Sequence, residues 1–155
     1  MTIYENNPMK HKVYLAGPFF NEEQRIVAAT IEQFAEAAGL DSFSPRLRCC
    51  CPPDAPLTQR KISFDMNTTA ITNADLVLAR IDDFDPGTMW EIGYAYHAGV
   101  PVYAYTTVAG RGLNLMLAQS CKGFLRGYEE IDEFMGYNGM VKWNAAHKIY
   151  NGEII

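Results

Sequence analysis

Four acidic residues lie within ten positions of one another in this chain: Asp82, Asp83, Asp85 and Glu91. Such a cluster is costly unless the side chains are solvated, paired or used in binding. A solvated surface loop is the plain interpretation. The functional interpretation is a site for a polyhydroxylated or cationic group, because glycosyl transfer through an oxocarbenium-like transition state requires a pair of carboxylates. Glu91 is the candidate nucleophile, since a carboxylate opening an apolar helix can attack an electrophilic carbon.

Glu91 also fits a purely structural pattern. The residues from Thr88 to Glu91 match a capping box, in which the threonine accepts a hydrogen bond from the amide three residues on and the glutamate reaches back. From the local sequence alone, capping is the favoured interpretation. The case for a functional Glu91 therefore rests on other segments of the chain.

Strand and helix patterns alternate along the sequence, which is typical of an α/β fold with a parallel sheet. The near-continuous apolar run at 75–81 indicates a strand buried on both faces. We predict a doubly wound, flavodoxin-like sheet of five parallel strands with helices on both faces. The strands that can be placed are 12–17, 42–44, 75–81 and 100–105, and the helices are 22–38, 57–72, 88–98, a short one from about 114, and 129–135.

Three segments that carry polar or flexible residues follow predicted strands. They are Gly17–Phe20, Asp82–Gly87 and Thr106–Asn114. In parallel sheets, ligands bind beyond the carboxyl ends of the strands. We therefore expect all three segments to lie on one edge of the sheet and to form the site.

The composition restricts the kinds of partner. The 155 residues are 48% apolar and carry a formal net charge of −5, which fits one domain over residues 1–155, with 1–11 as a flexible extension. No basic face is indicated, so a nucleic acid polymer is not an expected partner. Neither a signal peptide nor a membrane-spanning run is visible, so we expect a cytoplasmic location and no membrane association.

The cysteines do not form a recognisable site. Cys49, Cys50 and Cys51 are adjacent and Cys121 is distant, a spacing that matches neither a disulfide framework nor a zinc motif. Free thiols are the expected state. No motif indicates a metal ion or a redox cofactor, and none is expected.

Five segments are notable for their order and spacing along the chain: VYLAGPFF at 13–20, ADLVLA at 74–79, DPGTMWEIGYA at 85–95, NLM at 114–116 and IYNGEII at 149–155. In these segments the chain resembles the nucleoside 2-deoxyribosyltransferase family over nearly its whole length. The resemblance implies that Glu91 attacks the anomeric carbon of a 2′-deoxynucleoside, giving a covalent deoxyribosyl-enzyme from which a second base takes the sugar. It also implies that Asp85 holds a sugar hydroxyl and that Tyr14 orients the nucleophile.

The resemblance further implies a set of substrate-binding residues. Phe19 matches an aromatic placed against the base, and Gly17 and Gly87 belong to the matching segments. Asn114 and Met116 match residues lent to a neighbouring subunit's site, which implies a homo-oligomer. From the residues alone, Tyr14 and Phe19 read as core aromatics and Asn114 as an N-cap.

The chain departs from the family at one position that matters for chemistry. Asn67 stands where the family usually has an acid that handles the leaving base, and an amide can hydrogen-bond a base but cannot protonate it. Either Asp65 substitutes through a local shift, or Asn67 changes base preference or slows the reaction. The loop at 45–59 gives no match to the family's base-contacting glutamine, and its Arg46 and Arg48 read by default as surface charges.

Two other functions remain open. One is hydrolysis of 2′-deoxynucleoside 5′-monophosphates, a related branch that has serines where this chain has Pro18 and Asp85; because Asp85 would repel a phosphate, an unphosphorylated nucleoside is favoured. The other is a non-catalytic nucleotide-binding module on the same fold. The favoured substrates are a 2′-deoxynucleoside and a free nucleobase, as in nucleotide salvage, with the choice between purines and pyrimidines left open.

Overall fold

The computed structural model describes residues 10–136 and 149–155. Within them, five parallel strands form one sheet in the order β2-β1-β3-β4-β5, with helices on both faces, so the predicted fold class is confirmed. The strands are β1 (Lys12–Ala16), β2 (Asp41–Phe43), β3 (Leu76–Arg80), β4 (Val102–Thr106) and β5 (Gly123–Arg126). The helices are α1 (Glu22–Ala37), α2 (Pro45–Arg48), α3 (Leu57–Asn73), α4 (Pro86–His97), α5 (Leu115–Ser120) and α6 (Gly127–Gly136). Most of the extension predicted at 1–11 lies outside the described residues.

The core is divided by the sheet into two apolar layers. Leu76 and Leu78 of β3 pack in the layer formed with α1 and α6, and Val77 and Ala79 pack in the layer formed with α3, α4 and α5. Every residue of β3 is buried, which explains its continuous apolar run. Burial of a large aliphatic side chain stabilises the folded state by about 1.5–3 kcal/mol. The central strand β3 therefore stabilises both layers, because it buries apolar side chains on each face of the sheet.

Local signals fixed the ends of the first helix. The Asn21 side chain accepts a hydrogen bond of 2.8 Å from the Gln24 amide, which makes it the N-cap of α1. After α1, Gly39 adopts a φ of +71°, a conformation that a side chain would disfavour. None of the helices in the described ranges combines the length and apolar character needed to cross a membrane.

Two short elements were not predicted. Strand β5 is four residues long and contains only two apolar side chains between Gly123 and Arg126, too few to give a recognisable period. It forms because β4 needs a partner along its outer edge, and Tyr103 and Ala104 pair with Gly123 and Phe124. Helix α2 is a single turn inside the segment that we expected to be a loop.

The strand order reverses between β1 and β3, and this reversal places a crevice at the carboxyl edge of the sheet. Gln24 connects the two loops that border the crevice. Its Oε1 accepts a hydrogen bond of 2.8 Å from the Phe20 amide in the loop after β1. Its Nε2 donates one of 3.0 Å to Asp83 in the loop after β3. The two loops are therefore held side by side.

A buried carboxylate ties the loop after β3 to the loop after β4. Asp82 is 1% exposed and accepts hydrogen bonds from the Thr106 hydroxyl, the Thr107 amide at 2.9 Å and Arg80 Nε at 3.2 Å. Burial would raise the pKa of Asp82, but the hydrogen bonds from Thr106, Thr107 and Arg80 bring it below its ordinary value. Arg80 also pairs with Glu23 at 2.6 Å.

Replacing Asp82 by Asn should destabilise the protein strongly. The amide lacks the buried one of the two carboxylate charges that balance Arg80, which is 3% exposed, and loss of one partner of a buried ion pair costs about 3–5 kcal/mol. Urea unfolding followed by circular dichroism at pH 7 measures the change. Asp65→Asn is the control, because Asp65 is half exposed in an ion pair with Lys61 and such pairs contribute less than about 1 kcal/mol. Equal losses for the two variants would contradict the structural role of Asp82.

Candidate active site

The candidate site is built around a hydrogen bond between β1 and α4. The Tyr14 hydroxyl donates to Glu91 Oε2, joining residues that are 77 positions apart. Tyr14 is fully buried in the layer that contains α3, α4 and α5, because alternation along β1 turns its ring to that face. Glu91 lies on α4 and is partly buried. A carboxylate is thus held at the point where the strand order reverses.

The capping-box interpretation of Glu91 is wrong. Helix α4 begins at Pro86, two residues earlier than predicted, and Asp85 is its N-cap. Asp85 Oδ2 accepts hydrogen bonds of 2.8 Å from both the amide and the hydroxyl of Thr88. Glu91 therefore lies well inside the helix, and its carboxylate contacts Tyr14 instead of the helix terminus.

The protonation equilibrium of Glu91 is strongly perturbed. Burial raises the pKa of its carboxyl group to about 7, the hydrogen bond from Tyr14 lowers it, and the charge of Asp85 raises it further. Burial and the neighbouring carboxylate also raise the pKa of Tyr14, so its hydroxyl remains a donor. At neutral pH, Glu91 is poised between its two protonation states, which is common in functional sites.

Asp85 and Gly87 form the rim of the site next to Glu91. Asp85 Oδ2 is engaged in capping, whereas no described residue donates a hydrogen bond to Oδ1. A Cβ at Gly87 would lie 3.3 Å from Asp85 Oδ2, which is tighter than an ordinary contact. Glycine at this position lets the carboxylate fold back onto the helix terminus while Oδ1 stays available.

The loop after β1 contributes an aromatic pair. The Phe19 and Phe20 rings stack with centroids 5.6 Å apart, and Phe20 is 73% exposed. Gly17 precedes them, and a Cβ there would lie 3.3 Å from the Cβ of Arg80. A small residue is therefore required where the chain leaves β1 and passes over β3.

Asn67 faces the sheet, and Asp65 does not. Asn67 is partly buried and shares a face of α3 with Ser63 and Ile71, which are four residues away on either side and buried. Asp65 lies on another face, where it pairs with Lys61 at 2.9 Å. The helix thus turns the Asn67 amide toward the sheet and Asp65 toward Lys61.

Sequence reasoning missed two residues of this region. Cys49 donates a hydrogen bond of 2.7 Å to Asn67 Oδ1, and all four cysteines are free thiols, as expected. Phe43, the last residue of β2, stacks on Tyr14 with centroids 5.6 Å apart and ring planes 11° apart. The position of Phe43 inside the strand predicted at 42–44 could have suggested it, whereas no local signal marks Cys49.

The two arginines near β2 have partners within the chain. Arg46 Nη2 pairs with Glu32 at 2.5 Å, and Arg46 Nε donates to the same carboxylate at 3.1 Å. The guanidinium of Arg48 lies over the Phe43 ring, 5.8 Å from its centroid. Arg46 is therefore committed to Glu32, and Arg48 packs against the ring that supports Tyr14.

Asn114 and Met116 lie on the short helix α5. The Asn114 side chain accepts a hydrogen bond of 2.9 Å from the Leu117 amide and caps that helix. Met116 is 73% exposed. Neither residue is hydrogen-bonded to Glu91 or Tyr14 within the described part of the chain. The single chain thus leaves Met116 and its neighbour Leu115 uncovered.

A separate cavity of about 570 Å³ lies between α3 and the edge strand β2. Phe43, Ile62, Met66 and Asp65 contribute to its lining, whereas Tyr14 and Glu91 do not. We assign the site to the crevice at the carboxyl edge because the ionisable pair with perturbed pKa values lies there.

Known proteins resemble the chain over most of its length. A family model described as nucleoside 2-deoxyribosyltransferase matches residues 13–140. A 2-deoxyribosyltransferase from the psychrotolerant bacterium Bacillus psychrosaccharolyticus is 31% identical, with a TM-score of 0.77 over 90% of this chain and 99% of that one. Comparison with curated protein sequences gives no significant match.

Two more distant structures share the fold. A conserved protein from Enterococcus faecalis V583 is 22% identical, with a TM-score of 0.57 over 80% of this chain and 98% of that one. The Clostridium botulinum CMP N-glycosidase BcmB is 18% identical, with a TM-score of 0.55 over 80% and 95% of the respective chains. At these identities the likeness concerns the fold.

Replacing Glu91 by Gln should stabilise the protein at alkaline pH. Burial raises the pKa of Glu91 from 4.5 to about 7, so the folded state holds the proton more tightly than the unfolded chain. The associated stability is complete below about pH 4.5 and is lost as the pH rises through about 7. The amide keeps the Tyr14 hydrogen bond without an ionisable group, and the variant should gain about 2 kcal/mol over wild type between pH 5 and 8.5.

Urea unfolding of both proteins at the two pH values measures this gain. Glu36→Gln, an exposed substitution on α1, is the control and should show no such pH dependence. A constant stability difference between wild type and Glu91→Gln at both pH values would contradict the buried, perturbed carboxylate.

Proposed function

The chain belongs to the nucleoside 2-deoxyribosyltransferase family, and from this premise we propose that it transfers the 2-deoxyribosyl group of a 2′-deoxynucleoside from one nucleobase to another. The observation that carries the proposal is the Tyr14–Glu91 hydrogen bond at the switch point of the sheet. We take residues 1–155 as one catalytic domain. The activity serves salvage of deoxynucleosides, and we expect it in the cytoplasm.

The reaction proceeds in two displacements at the anomeric carbon. The ionised Glu91 carboxylate attacks this carbon as the bond to the first base breaks, and a glycosyl ester forms. The second base then attacks the same carbon and releases Glu91. A 2′-deoxy sugar suits this route, because it lacks the electron-withdrawing 2′-hydroxyl and develops positive charge more readily than a ribose. A carboxylate traps such a centre, as in retaining glycosidases.

Tyr14 orients the nucleophile. Its hydroxyl donates to Glu91 Oε2, so that the other carboxylate oxygen remains available for attack. The Tyr14 ring is fixed by burial and by its stacking on Phe43, which keeps the hydrogen bond in one geometry. This arrangement fits the requirement that a catalytic group be held close to its reactive position.

Asp85 and Asn67 are the polar groups that contact the substrate. Asp85 Oδ1, which is not used in capping, accepts a hydrogen bond from a sugar hydroxyl. Asn67 hydrogen-bonds the leaving base but cannot protonate it. The base therefore leaves as an anion that the amide hydrogen-bonds, and it gains its proton only after release from the closed site. Phe19 packs against the base, with Gly17 and Gly87 allowing close approach.

A second copy of the chain completes the site. Leu115 and Met116 are 56% and 73% exposed on α5, and Phe20 is 73% exposed in the loop after β1. Covering these side chains would exclude water, which must be kept from the glycosyl ester if transfer is to exceed hydrolysis. In this assembly, Asn114 and Met116 of one subunit reach the site of its neighbour.

Base exchange should depend on Glu91. Incubation with deoxyinosine and free adenine, followed by chromatography, should yield deoxyadenosine and hypoxanthine. Glu91→Ala should reduce the rate at least about 1,000-fold, because the nucleophile is removed. Glu36→Ala, an exposed change on α1, is the control. Full exchange by Glu91→Ala would contradict the assignment of the nucleophile.

The same experiment separates the alternatives. Deoxyinosine 5′-monophosphate should be a poor donor, because Asp85 repels a phosphate. Hypoxanthine without a new nucleoside would indicate a hydrolase. Absence of reaction with nucleoside, thymidine and monophosphate donors would favour a non-catalytic nucleotide-binding module.

The wild type should be a homo-oligomer in light scattering. Met116→Glu should lower both the measured mass and the exchange activity, since it places a charge in the covered apolar surface. Ile26→Glu on α1, where Ile26 is 59% exposed, is the matched control and should leave both unchanged. A wild-type monomer with full activity would contradict the shared site.

A further inference from the structure

A thiol that the proposed reaction does not use lies beside the site. Cys49 follows the single-turn helix α2, and its Sγ donates a hydrogen bond of 2.7 Å to Asn67 Oδ1. Within the described part of the chain, this is the one hydrogen bond recorded for the Asn67 side chain. The amide nitrogen of Asn67 therefore keeps both of its donors.

The Cys49–Asn67 pair belongs to the same region as Tyr14 and Glu91. Ile71, one turn along α3 from Asn67, packs in the core layer that contains Tyr14. The Cys49 thiol also interacts electrostatically with both Glu91 and Tyr14. The pair thus lies on the same side of the sheet as Glu91, where the base of a nucleoside bound at Glu91 would meet it.

The orientation of an asparagine amide decides which base edge it can bind. A 6-aminopurine presents a donor and an acceptor, and an amide binds it by using its oxygen and nitrogen together. A 6-oxopurine presents two acceptors, O6 and N7, and requires donors alone. An amide whose oxygen already accepts from a thiol offers its nitrogen, which suits the 6-oxopurine edge.

We propose that Cys49 is a positioning residue that holds the Asn67 amide with its nitrogen toward the base, and that the site thereby prefers 6-oxopurine over 6-aminopurine deoxynucleosides. The inference rests on the proposed function, since it assigns the base specificity of that same site. Asn67 stands where the family usually has an acid. In this proposal it recognises the acceptor edge of the base and does not supply a proton.

The thiol is suited to this role at neutral pH. Burial raises the pKa of Cys49, and the charge of Glu91 raises it further, so the group stays protonated and remains a donor. Removing the thiol frees the amide to turn about its side-chain bond and present its oxygen. Selectivity then falls because both edges can be bound, while the nucleophile is untouched.

The test compares deoxyinosine and deoxyadenosine as donors with cytosine as the common acceptor. Wild type should favour deoxyinosine about tenfold in kcat/KM, the value of one well-placed hydrogen bond. Cys49→Ala should bring the ratio close to one, mainly through KM. Cys49→Ser should restore the preference, because a hydroxyl donates to the same oxygen. Cys50→Ala, at an exposed neighbouring thiol, is the control and should behave as wild type.

Affinities of free hypoxanthine and adenine, measured by calorimetry on the same four proteins, test the inference without turnover. The inference is supported if wild type and Cys49→Ser bind hypoxanthine more tightly than adenine and Cys49→Ala does not. This holds even if no transfer occurs, and in that case only the proposed reaction fails. Two results would overturn the inference and leave the transferase function standing. One is base exchange in which Cys49→Ala keeps the wild-type preference for deoxyinosine over deoxyadenosine. The other is equal affinity of the wild type for hypoxanthine and adenine.

Discussion

Burial of one carboxylate is the constraint on which the site depends. Glu91 lies against the apolar layer between the sheet and α4, where desolvation opposes its ionised form, and the Tyr14 hydroxyl partly offsets this cost. The balance sets the pKa of Glu91 near 7. A fully solvated glutamate would be ionised but poorly positioned, and an unpaired buried one would stay neutral. The tyrosine gives an intermediate state, in which the carboxyl group is held in place and ionises near neutral pH.

The parallel sheet brings Tyr14 and Glu91 together although they are 77 positions apart in the sequence. Tyr14 comes from β1 and Glu91 from the helix after β3, and these two strands are adjacent where the order reverses. Phe43 from β2 supports the tyrosine ring on its other side. Three separate segments thus meet at one edge.

The parts of this arrangement that follow local rules could be predicted from sequence. The alternation of strands and helices gave the fold, and Asn21 and Gly39 marked the ends of α1 because capping involves only nearby atoms. The capping box at Thr88 failed because Asp85 and Pro86 compete for the same helix start and form a better one. Strand β5 depends on β4 for its pairing, which no local pattern reveals.

The contact between Cys49 and Asn67 shows a different limit of prediction from sequence. The two residues are 18 positions apart and are joined across an irregular segment whose path depends on how α2 and α3 pack. A run of cysteines carries no period, so the sequence leaves open which thiol faces inward. The family resemblance indicated Asn67, but it could not identify the thiol that hydrogen-bonds its amide oxygen.

The Asp82 network has a consequence for how the crevice fluctuates. One carboxylate holds Thr106 at the end of β4, Thr107 in the loop after it, and Arg80, which in turn holds Glu23 at the start of α1. Asp83 and Phe84 next to it adopt left-handed backbone conformations, which cost about 1–3 kcal/mol each and are held by the surrounding structure. Releasing any one of these contacts weakens the others. The carboxyl edge should therefore open as a single cooperative unit. The backbone amide protons at the start of α1, in the loop after β3 and in the loop after β4 should exchange with solvent together and not in graded steps.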